Sequence, residues 1–198
     1  MVYRLSALWR SVAVTFAVLL LLALLGHAQE ASIGRTSTDR TIGGDFALTD
    51  QNGERFQLSD HRGKAALLFF GYTTCAEACP ITLAKVKSVY SMLGSRQKDV
   101  MTVFVSVDPA RDTPDVLKRY MEYFLKGSIG LTGEKREIDA VVKRYGARYE
   151  IEKSDSALGY HVNHTTDIYL LDREGKVRQR FKHADRPDMI AAGVRKLI

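Results

Sequence analysis

Two cysteines are the residues of this chain best suited to chemistry. Cys75 and Cys79 are separated by three residues in the segment YTTCAEACP, directly after the apolar run AALLFFG at 65–71. They are the only two cysteines in the sequence. A bond closing so small a loop would stabilise a domain by only roughly 2 kcal/mol. Reactivity or metal binding therefore explains the pair better than a purely structural disulfide does.

The elements on either side of the cysteines favour thiolates. The run at 65–71 is typical of a buried central strand, and Pro80 fits the first position of a helix that ends at Gly94, with Cys79 just before it. Ligands bind at the carboxyl ends of strands in α/β sheets, and the free N–H groups of a helix start lower a thiol pKa. Two thiolates in that position can exchange with a disulfide or bind a soft metal such as copper(I).

A histidine is the natural third ligand for a trigonal copper(I) site. Of the five histidines, His164 stands just before a strand predicted at 167–171. In the fold that the order of predicted elements indicates, the segment before that strand packs beside the cysteine loop, so we expect His164 to face the sulfurs. His161 is the alternative ligand. The other three are interpreted as residues of the signal, the surface or turns: His27, His61 and His183.

The order of predicted elements indicates an α/β, thioredoxin-like fold with an N-terminal β-hairpin and one extra helix. We predict a hairpin from Phe46 to Leu58 around Asn52-Gly53, strands at 65–71, 100–107, 167–171 and 177–181, and a short strand at 147–151. We predict helices from Pro80 to Gly94, from Pro114 to Gly127 with Thr113 as cap, over 134–145, and from Pro187 onward, with a loop at 154–165 that has a β-like end. Periodicity does not give the order of strands within the sheet.

The N-terminus indicates export. Arg4 and Arg10 precede or flank an apolar stretch at 12–25, followed by small residues around His27. We therefore predict a signal peptide or membrane anchor at 1–28, a linker at 29–44 and a thioredoxin-like domain at 45–198. Both interpretations of segment 1–28 put the domain on the periplasmic side of the inner membrane, either anchored or exported.

Composition excludes some functions. Apolar residues make up 45% and charged residues 26%, which is ordinary for a soluble fold, and the formal net charge is +6. No basic run or zinc-finger spacing accompanies that charge, so nucleic-acid binding is not expected.

Three segments carry a resemblance to a known family. GYTTCAEACP, VSVDPARDTP and YHVNHT, in this order, resemble the SCO/SenC family of copper chaperones for cytochrome c oxidase, over roughly residues 40–198. The resemblance implies a metal-binding chaperone whose copper ligands are Cys75, Cys79 and His164. It also implies three partners, namely the copper-bearing oxidase subunit, an upstream thiol reductase and a copper donor. Many relatives have an acidic residue where this chain has Asn163 and a proline where it has Ala76.

Other functions and residues remain open. The main alternative is a thiol-disulfide oxidoreductase that reduces the copper-ligand cysteines of the oxidase subunit, for which Cys75 and Cys79 would be the catalytic pair and His164 dispensable. A thiol peroxidase, and a binding module in which the cysteines form only a structural disulfide, are weaker interpretations. Asp108 and Asp112 are interpreted as turn and cap residues around Pro109 and Pro114, with a role for Asp108 near the site as the alternative. Glu77 is interpreted as a loop acid and Tyr72 as a packing residue.

Overall fold

The computed structural model describes residues 42–198 except 156 and 158. The predicted segment 1–28 and most of the linker 29–44 lie outside the described residues. Among the described residues, no helix is long and apolar enough to cross a membrane.

The described residues form nine strands and four α-helices. The strands are β1 (Ala47–Asp50), β2 (Arg55–Gln57), β3 (Ala65–Gly71), β4 (Val100–Ser106), β5 (Ile129–Thr132), β6 (Tyr149–Lys153), β7 (Tyr160–His164), β8 (Ile168–Leu171) and β9 (Val177–Phe181). The helices are α1 (Ala78–Leu93), α2 (Pro114–Phe124), α3 (Lys135–Arg144) and α4 (Pro187–Arg195).

Seven strands form one mixed sheet in the order β2-β1-β5-β4-β3-β8-β9, and β6 pairs with β7 in a separate two-stranded sheet. β3, β4 and β5 run parallel to one another, whereas β8 is antiparallel to β3 and β9 to β8. This arrangement agrees with the predicted α/β, thioredoxin-like fold, and β1 and β2 form the predicted N-terminal hairpin.

Helices cover both faces of the sheet, which explains why β3 and β4 are mostly apolar. Every residue of these two strands is buried. On one face the sheet packs against α1, α2 and α4 through residues such as Leu83, Leu117 and Ile190. On the other face it packs against α3, where Phe56 of β2 lies in one apolar cluster with Ile138 and Tyr145. A central strand covered on both sides has no polar face to expose.

Three predictions about elements need correction. β5 was not predicted, because its four residues IGLT contain Gly130 and are too few to show a period. Helix α1 begins at Ala78, so Cys79 lies inside its first turn and Pro80 is the third helical residue. Proline is tolerated there because the first turn has no intrahelical acceptor for its missing N–H. Helix α2 ends at Phe124, before Gly127.

The segment 154–165 was predicted as a loop with a β-like end, and that end is a regular strand. Residues Tyr160–His164 form β7, which pairs with β6 over five residues. Side chains of a strand alternate between two faces, so His161 and His164 project from opposite faces of β7.

Three connections meet at one edge of the sheet. The carboxyl ends of the parallel strands β3 and β4 lie at the same edge, and β8, antiparallel to β3, begins there. The cysteine loop follows β3, the DPARDT turn follows β4, and β7 comes just before β8. The fold thus brings three segments together that are far apart in the sequence.

Candidate metal centre

The two sulfurs and one imidazole converge at this edge. The Nε2 atom of His164 lies 3.8 Å from Sγ of Cys75 and 3.7 Å from Sγ of Cys79. These three atoms all lie within 4.8 Å of one another, and both cysteines are free thiols. Among the described residues, no other group of three or more histidines, cysteines and acids brings its ligand atoms this close together. Two sulfurs and an aromatic nitrogen are the donor set that copper(I) prefers.

The two thiols differ in exposure and in pKa. Cys79 is 1% exposed, whereas Cys75 is only partly buried. A hydrogen bond from Cys79 lowers the pKa of Cys75 to about 3, against an opposing effect of burial and with help from His164 and the backbone amides of Cys79 and Glu77. The hydrogen bond to Cys75, burial and the negative charge of Cys75 all raise the pKa of Cys79. The pair therefore holds one proton, with Cys75 as the thiolate.

The start of α1 supplies part of that stabilisation. The amides of Glu77 and Cys79 belong to the first turn, where N–H groups have no acceptor within the helix. They donate to the Cys75 sulfur instead, and the positive end of the helix dipole also favours the thiolate.

The imidazole of His164 is oriented by the backbone of the next residue. Its Nδ1 atom lies 3.0 Å from the carbonyl oxygen of Thr165. A carbonyl oxygen only accepts, so Nδ1 carries a proton, and Nε2 is the ring nitrogen that faces the sulfurs and is available to a metal. A second hydrogen bond of this kind is the usual way that a protein fixes a metal-binding histidine. The ring of Tyr72 lies edge to face with the imidazole, with centroids 5.7 Å apart.

Asp112 attaches the cysteine loop to the turn after β4. Its carboxylate accepts hydrogen bonds from the backbone N–H of Thr73 at 2.9 Å, the Thr73 hydroxyl at 2.6 Å and the Ser106 hydroxyl at 2.5 Å. Burial raises the pKa of Asp112, partly offset by those hydrogen bonds, and the charge of Asp108 adds to the increase. The cap interpretation of Asp112 is wrong, since Thr113 caps α2 by accepting from the amide of Val116.

A second cluster lies between the DPARDT turn and β7. Asp108 is 1% exposed and accepts a 2.7 Å hydrogen bond from the hydroxyl of Tyr160. Arg111 pairs with the same carboxylate and donates to the carbonyl oxygen of Tyr160 at 3.1 Å. The turn interpretation of Asp108 is confirmed, because its backbone oxygen accepts from the amides of Arg111 and Asp112. Its side chain in addition contacts Tyr160 of β7, the strand that carries His164.

The structure also decides among the remaining predicted residues. His161 projects from the face of β7 opposite to His164 and pairs with Glu152 at 3.0 Å, so it is not beside the sulfurs. His61 stacks on Phe56, and the backbone oxygen of His183 accepts from Lys85, so both lie outside the centre. His27 lies outside the described residues. Glu77 is exposed at the N-cap of α1, where its side chain makes no capping hydrogen bond.

Three residues in or beside the centre were not identified from the sequence. Gly71 lies under Cys79, Arg111 stands between the two aspartates of the turn, and Tyr160 begins β7. The one signal for Arg111 was its position inside the VDPARDTP segment that carries the family resemblance.

Comparisons with known proteins agree with this geometry. The family model described as SCO1/SenC matches residues 34–198. The SCO2-like protein of Rickettsia felis is 38% identical over 141 residues, which cover 71% of this chain and 69% of that protein. The structure of Bradyrhizobium japonicum ScoI with copper bound is similar at 36% identity with a TM-score of 0.72, covering 79% of this chain and 99% of that one. BsSco, a member of the Sco family of cytochrome c oxidase assembly proteins for which a disulfide switch was identified, is similar at 25% identity and a TM-score of 0.63, over 79% of this chain and 93% of its own.

Proposed function

Because the chain belongs to the SCO1/SenC family, we propose that it is a copper metallochaperone that supports maturation of the copper centre of cytochrome c oxidase. The observation that carries this proposal is the convergence of Cys75 Sγ, Cys79 Sγ and His164 Nε2 within 4.8 Å of one another. We propose these three residues as the copper ligands. The copper-bound state of the similar ScoI protein and the family's role in oxidase assembly support it.

The site suits a cargo that must be bound firmly and then released. Copper(I) is a soft ion, and thiolate sulfur together with imidazole nitrogen suits it. Binding expels the proton that the pair shares, because both sulfurs then serve as thiolates. Cys75 and His164 are partly exposed whereas Cys79 is buried. A ligand of the accepting oxidase subunit can therefore replace Cys75 or His164 first, while Cys79 holds the ion until last.

Copper(I) competition titration tests the proposal. The reduced full chain in detergent is titrated anaerobically against the chelator bicinchoninate, together with His164→Ala and a matched control, His161→Ala. We expect one copper(I) per chain, a loss of affinity of about tenfold or more for His164→Ala, and no change for His161→Ala, since that ring faces away. Equal affinities of the wild type and His164→Ala would contradict the three-ligand site.

A thiol-disulfide oxidoreductase is the second candidate, favoured by the low pKa of Cys75 beside a free second thiol. In that reaction the Cys75 thiolate attacks a disulfide between the copper-ligand cysteines of the oxidase subunit and forms a mixed disulfide. Cys79, once deprotonated, attacks Cys75 and releases the partner as a dithiol. Two electrons pass to the partner, and the chain ends with a Cys75–Cys79 disulfide that an upstream thiol reductase must reduce.

His164 separates the two candidates. The exchange reaction needs only the two sulfurs, whereas copper binding needs the imidazole as well. A His164→Ala chain that restores oxidase assembly in a deletion strain would favour the oxidoreductase. Failure of that variant, with an unchanged dithiol redox potential in glutathione titrations, would favour the chaperone.

We further propose that the domain lies on the periplasmic side of the inner membrane, anchored or exported through residues 1–28. Arg4 and Arg10 with the apolar stretch at 12–25 support it. Protease treatment of spheroplasts tests the location, and intact-mass measurement of the purified chain tests cleavage after the apolar stretch. Protection of the domain from protease in intact spheroplasts would contradict it.

A further inference from the structure

We propose that Arg111 is a positioning residue that fixes β7 and thereby holds the imidazole of His164 over the two sulfurs. This inference rests on the proposed copper site, since it assigns to Arg111 a part of the copper affinity. Arg111 bonds to Asp108 and Tyr160, and we infer that it acts on the three proposed ligands through these residues.

The first step is the contact between Arg111 and the start of β7. The guanidinium carbon lies 3.7 Å from the centroid of the Tyr160 ring, and Nη1 donates to the Tyr160 carbonyl oxygen at 3.1 Å. The Tyr160 hydroxyl donates to one oxygen of Asp108, and Nε of Arg111 pairs with the other. Arg111 therefore contacts both the ring and the backbone of Tyr160, and the buried Asp108 fixes both side chains.

The second step is the contact from Tyr160 along the strand to His164. Tyr160, Val162 and His164 are alternate residues of β7 and share one face. The amide of Val162 donates to the hydroxyl of Tyr72 at 3.3 Å, and the Tyr72 ring lies against the imidazole. The guanidinium carbon of Arg111 is also 5.7 Å from the Tyr72 centroid. Arg111 thus packs against Tyr160, the first residue of β7, and against Tyr72, which contacts β7 at Val162 and His164.

The third step is the need for such a support. β7 pairs only with β6, outside the seven-stranded sheet, and the four residues of β6 after Tyr149 are exposed. A two-stranded hairpin is at best marginally stable by itself. Its position over the sulfurs must therefore come from contacts with the main domain, and Arg111 provides a stacked and hydrogen-bonded one at residue 160.

Geometry rather than charge makes arginine necessary here. A lysine could still neutralise Asp108. It has no planar group to stack on Tyr160, however, and its single nitrogen cannot contact Asp108 and the Tyr160 carbonyl oxygen in the same fixed arrangement. Arg111→Lys is accordingly a conservative variant that separates the two roles.

A double-mutant cycle tests the inference with bicinchoninate competition on the full reduced chain. We expect Arg111→Lys to weaken copper(I) binding about tenfold, as substitutions of groups that orient a ligand do. In the His164→Ala background the same substitution should change affinity by less than about twofold, because the imidazole through which Arg111 acts is gone. Arg119→Lys, an exposed arginine on α2, is the matched control and should have no effect in either background.

Hydrogen exchange of the copper-free chain provides a readout that does not depend on metal. Arg111→Lys should speed exchange of the β6 and β7 amides, including that of Val162, and leave the β3 amides unchanged. Tyr160→Phe, which removes only the hydroxyl donated to Asp108, should act in the same direction and more weakly.

The outcomes separate the inference from the proposed function. An equal loss of affinity from Arg111→Lys in both backgrounds, or exchange unchanged in β7, would overturn the positioning role. A wild-type chain that binds no copper(I) would overturn the proposed function, and Arg111 would then be judged by the exchange of β7 alone.

Discussion

Gly71 and Cys79 approach each other so closely that a β carbon on Gly71 would lie 2.5 Å from the sulfur of Cys79. The same β carbon would lie 2.6 Å from Cε2 of Phe104. Real β carbons essentially never come within 3.0 Å of such atoms. The buried sulfur therefore packs directly on the backbone at the end of β3, which fixes its depth in the site.

Gly71→Ala should displace Cys79 and weaken copper(I) binding. The added methyl group meets Phe104 as well as the sulfur, both in a packed core, and overpacking of this kind costs about 1–3 kcal/mol of unfolding free energy. Urea unfolding and copper(I) competition titration measure the two effects. Gly53→Ala is the control for copper affinity, since no atom lies within 4 Å of its β position. Its φ of +81° makes the substitution strained, so it does not serve as a control for unfolding. A Gly71→Ala chain with wild-type copper affinity would show that the sulfur is free to move.

Iodoacetamide should modify Cys75 rather than Cys79 in the folded, reduced chain. Cys75 is partly exposed with a pKa lowered to about 3, whereas Cys79 is buried with a raised pKa. Because Cys75 is already a thiolate above that pKa, its rate should be nearly constant between about pH 5 and pH 8, whereas an ordinary thiol gains about tenfold per unit. Peptide mass spectrometry gives the two rates. Urea-unfolded chain is the control, in which both cysteines should follow the ordinary profile. Equal labelling of the folded pair would contradict the assignment.

Asp112→Asn should destabilise the chain by about 1–3 kcal/mol, because an amide cannot accept all three hydrogen bonds from Thr73 and Ser106. Burial raises the pKa of Asp112 above its ordinary value of 3.8, so the folded state binds this proton more tightly than the unfolded state. Its contribution is then complete below about pH 3.8 and falls as the pH rises through the raised pKa.

The difference in unfolding free energy between the wild type and Asp112→Asn should therefore shrink from acid toward neutral pH. Urea unfolding across that range measures it. Asp115→Asn, the same substitution at an exposed residue of α2, is the control. A difference that grows with pH would mean that the folded state favours the charged carboxylate.

Asn163→Asp should leave copper(I) affinity within about twofold of the wild type, because residue 163 projects from the face of β7 opposite to His164. Its amide donates to Glu152 at 2.5 Å, so a carboxylate there would repel Glu152. On an exposed hairpin we expect that repulsion to cost under about 1 kcal/mol. Copper titration and urea unfolding test this, with Asn163→Gln as the variant that keeps the amide. A tenfold change in copper affinity would show that residue 163 acts on the site.

Local pattern was sufficient for much of the fold. β3 and β4 are long apolar runs, the β1–β2 hairpin turns at Asn52-Gly53, and Thr113-Pro114 marks the start of α2. Each of these signals lies within a few neighbouring residues, where backbone preference and burial act together. β5 gave no such signal, because a four-residue strand with a glycine owes its existence to the strands on either side of it.

The sequence by itself determined the chemistry. Two thiols lie around the start of a helix that follows a buried strand, and a histidine stands just before a later strand. Tertiary structure decided which histidine faces the sulfurs, because His161 and His164 differ only in the face of β7 from which they project. It alone joined Thr73 to Asp112 and Arg111 to Tyr160, which are 39 and 49 residues apart. Contacts between such distant residues arise when the strands of a sheet bring their ends to one edge, and no local periodicity encodes them.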